Sequence, residues 1–180
     1  RYGESFIREE GDGLVETFPD TMKKRTVLLR SQYGAYVKKN RAVIAVPSPD
    51  FRRVLVLSGE GGSYDAAVFE DGRMTGRIDG VGSCVDLCWI DNKSIAFRHG
   101  APGFYGVRVY SCVDGSTSRI GAPTMNTNLS YSEYNGLLSY LTDGALTFCR
   151  VPGGEPEIWP LEGEDVSFAP GGNSFCLLYG

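Results

Sequence analysis

The feature that most constrains this chain is a turn that it repeats. Four stretches rich in Pro, Gly, Asp or Asn each lead into a short apolar run. Pro49-Asp50-Phe51-Arg52 precedes VLVLSG, and Asp91-Asn92-Lys93 precedes SIAFRHG. Glu133-Tyr134-Asn135-Gly136 precedes LLSYLT, and Pro170-Gly171-Gly172-Asn173 precedes SFCLLY. The runs begin at Val54, Ser94, Leu137 and Ser174, in steps of 40, 43 and 37 residues. A second, independent marker is a tight turn that closes another run at Asp71-Gly72, Asp114-Gly115 and Gly153-Gly154, in steps of 43 and 39. Two unrelated markers with one period mean a repeat architecture, and about 40 residues per unit points to a solenoid, an array or a propeller.

The contents of a unit decide among these. From Ala42 to Gly80 the chain reads AVIAV, VLVLSG, DAAVFED and RMTGRID. These are four short strands rich in branched and aromatic residues, separated by turn residues. The next unit gives CVDLCWI, SIAFR, VRVYSCV and STSRI, and the third NLSYSE, LLSYLT, ALTFCR and EIWPL. No stretch carries a sustained apolar pattern at helical spacing. Four antiparallel strands in about 40 residues make a β-propeller blade. The predicted fold class is therefore all-β, with blades at residues 42–80, 81–121 and 122–163 and a partial one at 164–180.

The turns PSPDFRR and FAPGGNS, each between two apolar strands, resemble the SPDG turn of TolB-like and WD-type propeller repeats. The resemblance covers residues 42–180. Phe51 stands where that turn usually has Gly, the middle two turns lack the Pro-Asp pair, and no Trp-Asp dipeptide ends a strand. The resemblance implies stacked blades, and a ring closed by a blade shared between the two termini. On that implication SFIREE and LVETF supply the outer strands missing from the last unit; a fragment of a larger ring is the alternative. Residues 1–41 then hold N-terminal strands and a basic segment, with 19–41 fitting neither unit. Arg1 is no initiator Met, so the chain is expected to be processed, excised from something larger or incomplete.

That basic segment is the main anomaly of charge. Between Thr21 and Arg53 lie nine of the 18 basic residues and one acid, Asp50, a net of +8 in a chain whose total is −4. Such a segment suits an acidic protein surface or a nucleic-acid backbone, with Tyr33 and Tyr36 placed for stacking. The plainer readings are a lysine-studded edge strand that resists aggregation, or docking on the chain's own acidic run from Glu155 to Asp165. The acidic pI disfavours dedicated nucleic-acid binding.

The inventory for catalysis is thin. His99, the sole histidine, falls in Arg98-His99-Gly100, read here as a loop between second and third strands. In propellers that loop opens on the face that usually binds ligands. Gly61-Gly62-Ser63-Tyr64-Asp65 lacks the closing Gly of a nucleophile elbow. Gly59-Glu60-Gly61-Gly62 lacks the Lys-Ser/Thr end of a phosphate loop. A sialidase-like site would need an arginine cluster and an aspartate-box turn, and neither is present. Cys84 and Cys88 share a strand face, but one histidine makes a poor metal site. No cofactor and no metal are expected. Five cysteines, an odd number, favour reduced thiols and a cytoplasmic compartment over a disulfide scaffold. No apolar run approaches the ~20 residues of a membrane span, so none is expected.

The expected function is a non-catalytic propeller module that binds another protein or a larger assembly through its loops. The loops to watch are Ser58–Ser63, Arg98–Gly103 and Thr142–Gly144, with Glu60, Arg98, His99 and Asp143 as contacts. Lys38, Lys39 and Arg41 form a separate candidate surface. The alternative is the propeller part of a hydrolase, sialidase-like or gating a peptidase whose catalytic domain lies outside the chain.

Overall fold

The computed structural model describes residues 6–37, 41–60, 63–81, 87–101, 104–124, 129–132, 135–142, 144–151, 153–161, 165–168 and 175–178. The chain divides into two compact units, Arg1–Asp79 and Gly80–Gly180.

In the first unit β1 (Phe6–Glu10), β2 (Gly13–Phe18) and β3 (Lys23–Leu29) form an antiparallel sheet in chain order. One helical turn, α1 (Arg30–Tyr33), follows. Then β4 (Ala42–Pro47), β5 (Arg53–Glu60), β6 (Ser63–Glu70) and β7 (Arg73–Val81) lie side by side in chain order, the four-strand unit expected from the sequence. Residues 6–18, expected to complete the last unit, pair with each other and with β3.

The central strands explain the unbroken apolar runs. Val54 and Val56 of β5 join Ala67 and Phe69 of β6 in a core with Leu14, Leu28 and Tyr33. Leu55, Leu57, Ala66 and Val68, pointing the other way, are also fully buried. A strand covered on both faces cannot alternate apolar with polar residues, and VLVL and AAVF do not. Burial of each such Val or Leu is worth about 1.5–3 kcal/mol against exposure.

In the second unit β8 (Leu87–Trp89), β9 (Ser94–Ala101), β10 (Phe104–Ser111) and β11 (Thr117–Thr124) form one ladder. A four-stranded sheet follows, of β12 (Ser130–Ser132), β13 (Leu137–Thr142), β14 (Ala145–Arg150) and β15 (Glu157–Pro160), in chain order. β16 (Asp165–Phe168) and β17 (Phe175–Leu178) make a last antiparallel pair. Ile90, Ala96, Val107, Leu129, Leu138, Tyr140 and Cys149 form the core.

Both repeated turns have a physical cause. In the first, a side-chain oxygen accepts a backbone N–H two residues on: Asp50 from Arg52 at 3.1 Å, Asp91 from Lys93 at 2.6 Å, Asn135 from Leu137 at 3.1 Å. This Asx turn needs Asp or Asn and little else, which is why the motif varies around that residue. Burial alone would raise the Asp50 pKa; hydrogen bonds from Ser48 and the Arg52 N–H outweigh it and hold the carboxyl below its ordinary value. The fourth turn lies outside the described residues. The second marker needs positive φ, supplied by Asp71 (49°) with Gly72 (75°), by Gly115 (71°) and by Gly153 (83°).

Candidate functional site

The connections between second and third strands are shorter than the sequence suggested. β5 ends at Glu60 and β6 starts at Ser63; β9 ends at Ala101 and β10 starts at Phe104; β13 ends at Thr142 and β14 starts at Ala145. Two residues separate the strands of each pair, and most of these connecting residues lie outside the described residues. Glu60 is the last residue of β5. Asp143, Lys38 and Lys39 lie outside the described residues. Arg98 and His99 belong to strand β9, not to a loop; the turn signal is Pro102-Gly103 rather than the polar pair before it. The His99 ring meets Phe97 edge-on at 6.2 Å. Its Nδ1 is buried without a hydrogen-bond partner among the described residues, and Gly80 (φ 70°) leaves it room. The structure thus places Glu60, Arg98 and His99 in strands, and neither Arg98 nor His99 lines the two cavities described below.

The basic segment sorts itself into two parts. Lys24 pairs with Glu10, Arg25 with the fully buried Glu16 at 2.6 Å, Arg30 with Glu9 at 3.1 Å, and Arg53 with Glu70 at 2.7 Å. Lys24 first and Arg8 second hold the Glu10 carboxyl below its ordinary value. These partners sit in β1, β2 and β6, so acids close in the fold take up this charge. Lys23, Lys24 and Arg25 are exposed on β3, an edge strand of its sheet, the guarded edge of the plainer reading. Tyr33 is 1% exposed and donates its hydroxyl to Glu9, so it is no stacking platform. Lys23, Arg41 and Arg52 form no ion pair among the described residues.

Arg41 lines a cavity of about 430 Å³ with Tyr36, Ser58, Asp65, Phe69 and Arg77. Val54, Val56 and Ser58 follow one another on one face of β5, opposite Phe69, Ala67 and Asp65 on β6. The apolar pairs enter the core, and the face turns polar where the strands reach the cavity. Tyr36 follows α1, and its ring meets Phe69 edge-on at 6.4 Å. Burial first, and Asp65 second, push its phenol well above the ordinary tyrosine value. Arg77 is held by Asp79 at 2.8 Å and stands 4.0 Å from Asp65. The hydroxyls of Tyr36 and Ser58 are both buried, and neither has a hydrogen-bond partner among the described residues. Two unpartnered hydroxyls beside an unpaired guanidinium can receive a polar ligand. Charge composition pointed to Arg41; Ser58 entered the sequence reading only as the first residue of the expected loop Ser58–Ser63.

A second cavity of about 360 Å³ in the second unit is lined by Asp91, Ser118, Arg119, Ile120 and Cys149. Burial raises the Cys149 thiol pKa, which argues against a nucleophile there. Among the described residues no three His, Cys, Asp or Glu side chains gather as metal ligands, and no helix is long and apolar enough to cross a membrane.

No family model matches the sequence, and no curated protein matches it. Solved structures do resemble the fold. TolB from Acinetobacter baumannii superposes with a TM-score of 0.63 at 12% identity, over 98% of this chain and 46% of that one. A prolyl endopeptidase gives 0.64 at 14%, over 93% of this chain and 28% of that one. A chain of the mitotic checkpoint complex gives 0.59 at 10%, over 100% of this chain and 60% of that one. The chain thus spans between about a quarter and three-fifths of the proteins it resembles. At such identities the likeness speaks for fold alone: an all-β fold of the β-propeller type, resembling the propellers of TolB and of the mitotic checkpoint complex chain.

Proposed function

We propose that this chain is a non-catalytic propeller module that binds another protein, or a subunit of a larger assembly, through an acidic surface on that partner. One observation carries the reading. Four of the basic residues between Thr21 and Arg53 are neutralised inside the fold, while Arg41 and Arg52 have no ion pair among the described residues. Lys38 and Lys39 adjoin Arg41 in the sequence. Positive charge left over on a rigid scaffold speeds and orients encounter with an acidic partner. The odd number of cysteines supports a cytoplasmic setting.

The test is affinity capture from a native extract with the wild-type chain and with Lys38→Glu/Lys39→Glu. Capture of a partner that falls at least about tenfold in the variant, with the melting temperature unchanged, supports the reading; each lost charge contact accounts for about 1 kcal/mol or less. Equal capture by both chains eliminates the segment as a contact.

A further inference from the structure

We propose that the Arg41 cavity is a binding site for a carboxylate carried on a short apolar body. The pairing of charges, not their sum, selects the anion. Asp79 and Asp65 occupy Arg77, leaving Arg41 as the cationic group of the lining without an ion pair among the described residues. A carboxylate can pair directly with that guanidinium, which would repel an ammonium. The hydroxyls select an acceptor. Ser58 is 4% exposed, and its Oγ, like the Tyr36 hydroxyl, is buried without a hydrogen-bond partner among the described residues. A buried, unsatisfied hydroxyl costs about 1–3 kcal/mol, so two at one cavity call for an occupant.

Tyr36 stays a protonated donor across the physiological range, because burial and Asp65 raise its pKa. A carboxylate has two oxygens and about four lone-pair sites, enough for a bidentate guanidinium and two O–H donors. Phe69, Met74 and Ala35 give the wall an apolar part, beside Gln32 and the Asp65–Arg77 pair, that suits a few methylene groups. The volume of about 430 Å³ falls within the usual range for small-ligand sites, about 300–1,000 Å³. The site shares Arg41 with the proposed docking segment, but the two are tested separately. Titration of the isolated chain reads the cavity and affinity capture reads the partner, so each can fail without the other.

The experiment titrates the full chain with sodium butanoate by saturation-transfer NMR, with butan-1-ol and butylammonium as matched controls. Saturable butanoate binding that exceeds both controls, and that weakens at least about tenfold in Arg41→Gln, is the expected result. Ser58→Ala separates binding from structure. It removes an unsatisfied hydroxyl, so the unliganded melting temperature should hold or rise while butanoate binds more weakly. A structural role for Ser58 predicts the reverse. A second arm uses one short apolar peptide with a free or an amidated C-terminus. Preference for the free peptide assigns the carboxylate to a polypeptide end, and preference for butanoate assigns it to a small molecule. Equal affinity in the wild type and Arg41→Gln, or failure of both butanoate and the free peptide to bind, overturns the proposal.

Discussion

Phe51 occupies a left-handed backbone conformation, with φ at 59°, at the position where the turn it resembles carries glycine. A side chain there costs about 1–2 kcal/mol. Its ring lies 5.1 Å from the Arg25 guanidinium, which pairs at 2.6 Å with the fully buried Glu16. A cation–π contact at a half-exposed site returns about 0.5–1 kcal/mol. Phe51→Gly relieves the backbone strain, loses the ring contact, and adds the extra chain entropy of glycine, about 0.5–1 kcal/mol. The three terms nearly cancel, so that variant should lie within about 1 kcal/mol of wild type. Phe51→Ala keeps most of the strain and loses the ring, and should be the less stable of the two by about 1 kcal/mol. This inverts the usual order, in which alanine beats glycine by about the same amount. Urea unfolding of the three proteins decides the matter, supported by a melting difference of about 2–4 °C between the variants. An alanine variant as stable as the glycine variant refutes the strain argument. In that case the position tolerates any residue, and the ring contact is incidental.

Two further outcomes follow from buried polar groups. Arg25→Gln should destabilise the chain by about 1–3 kcal/mol by removing the guanidinium from a buried carboxylate, whereas Glu16→Gln removes the buried charge itself and should cost less; equal losses in urea unfolding would contradict this asymmetry. Tyr33 and Tyr140 have phenols raised to about 12 against an ordinary 10, by burial first and then by Glu9 and Cys149 respectively. A folded pKa above the unfolded one means full stability below pH 10, lost as the pH rises towards 12. Melting temperatures from pH 8 to 12 should show that decline, and Tyr140→Phe should reduce it; a flat profile in wild type would contradict the burial argument.

The four-strand unit was legible because its turns depend on single residue types. An Asx turn requires Asp50, Asp91 or Asn135, and the reverse turn at Asp71-Gly72 requires positive φ, so chemistry visible in the sequence fixes both. Residues 19–41 were not legible for equally physical reasons. KKRTVLL shows no alternation because its first residues are exposed at an edge, where Lys24 and Arg25 pair with acids of the same sheet. A helix of one turn, Arg30–Tyr33, is too short to show a period. Arg98-His99 read as a turn because polar residues in a strand resemble one. Excess charge drew attention to Arg41, but the surroundings of the Ser58 hydroxyl are assembled from residues spread between Gln32 and Arg77, which no local pattern reveals.

The double-sided burial of β5 and β6 bears on how such chains diverge. Ribbons with no watery flank give a drifting sequence only one freedom, the exchange of one aliphatic group for another of similar bulk. Substitution of that kind erases identity letter by letter and leaves the shape untouched, so 10–14% of residues can match while nearly the whole chain superposes. Novelty in charge or polarity is then confined to outlying ribbons such as Glu157–Pro160, all four of whose residues face outward.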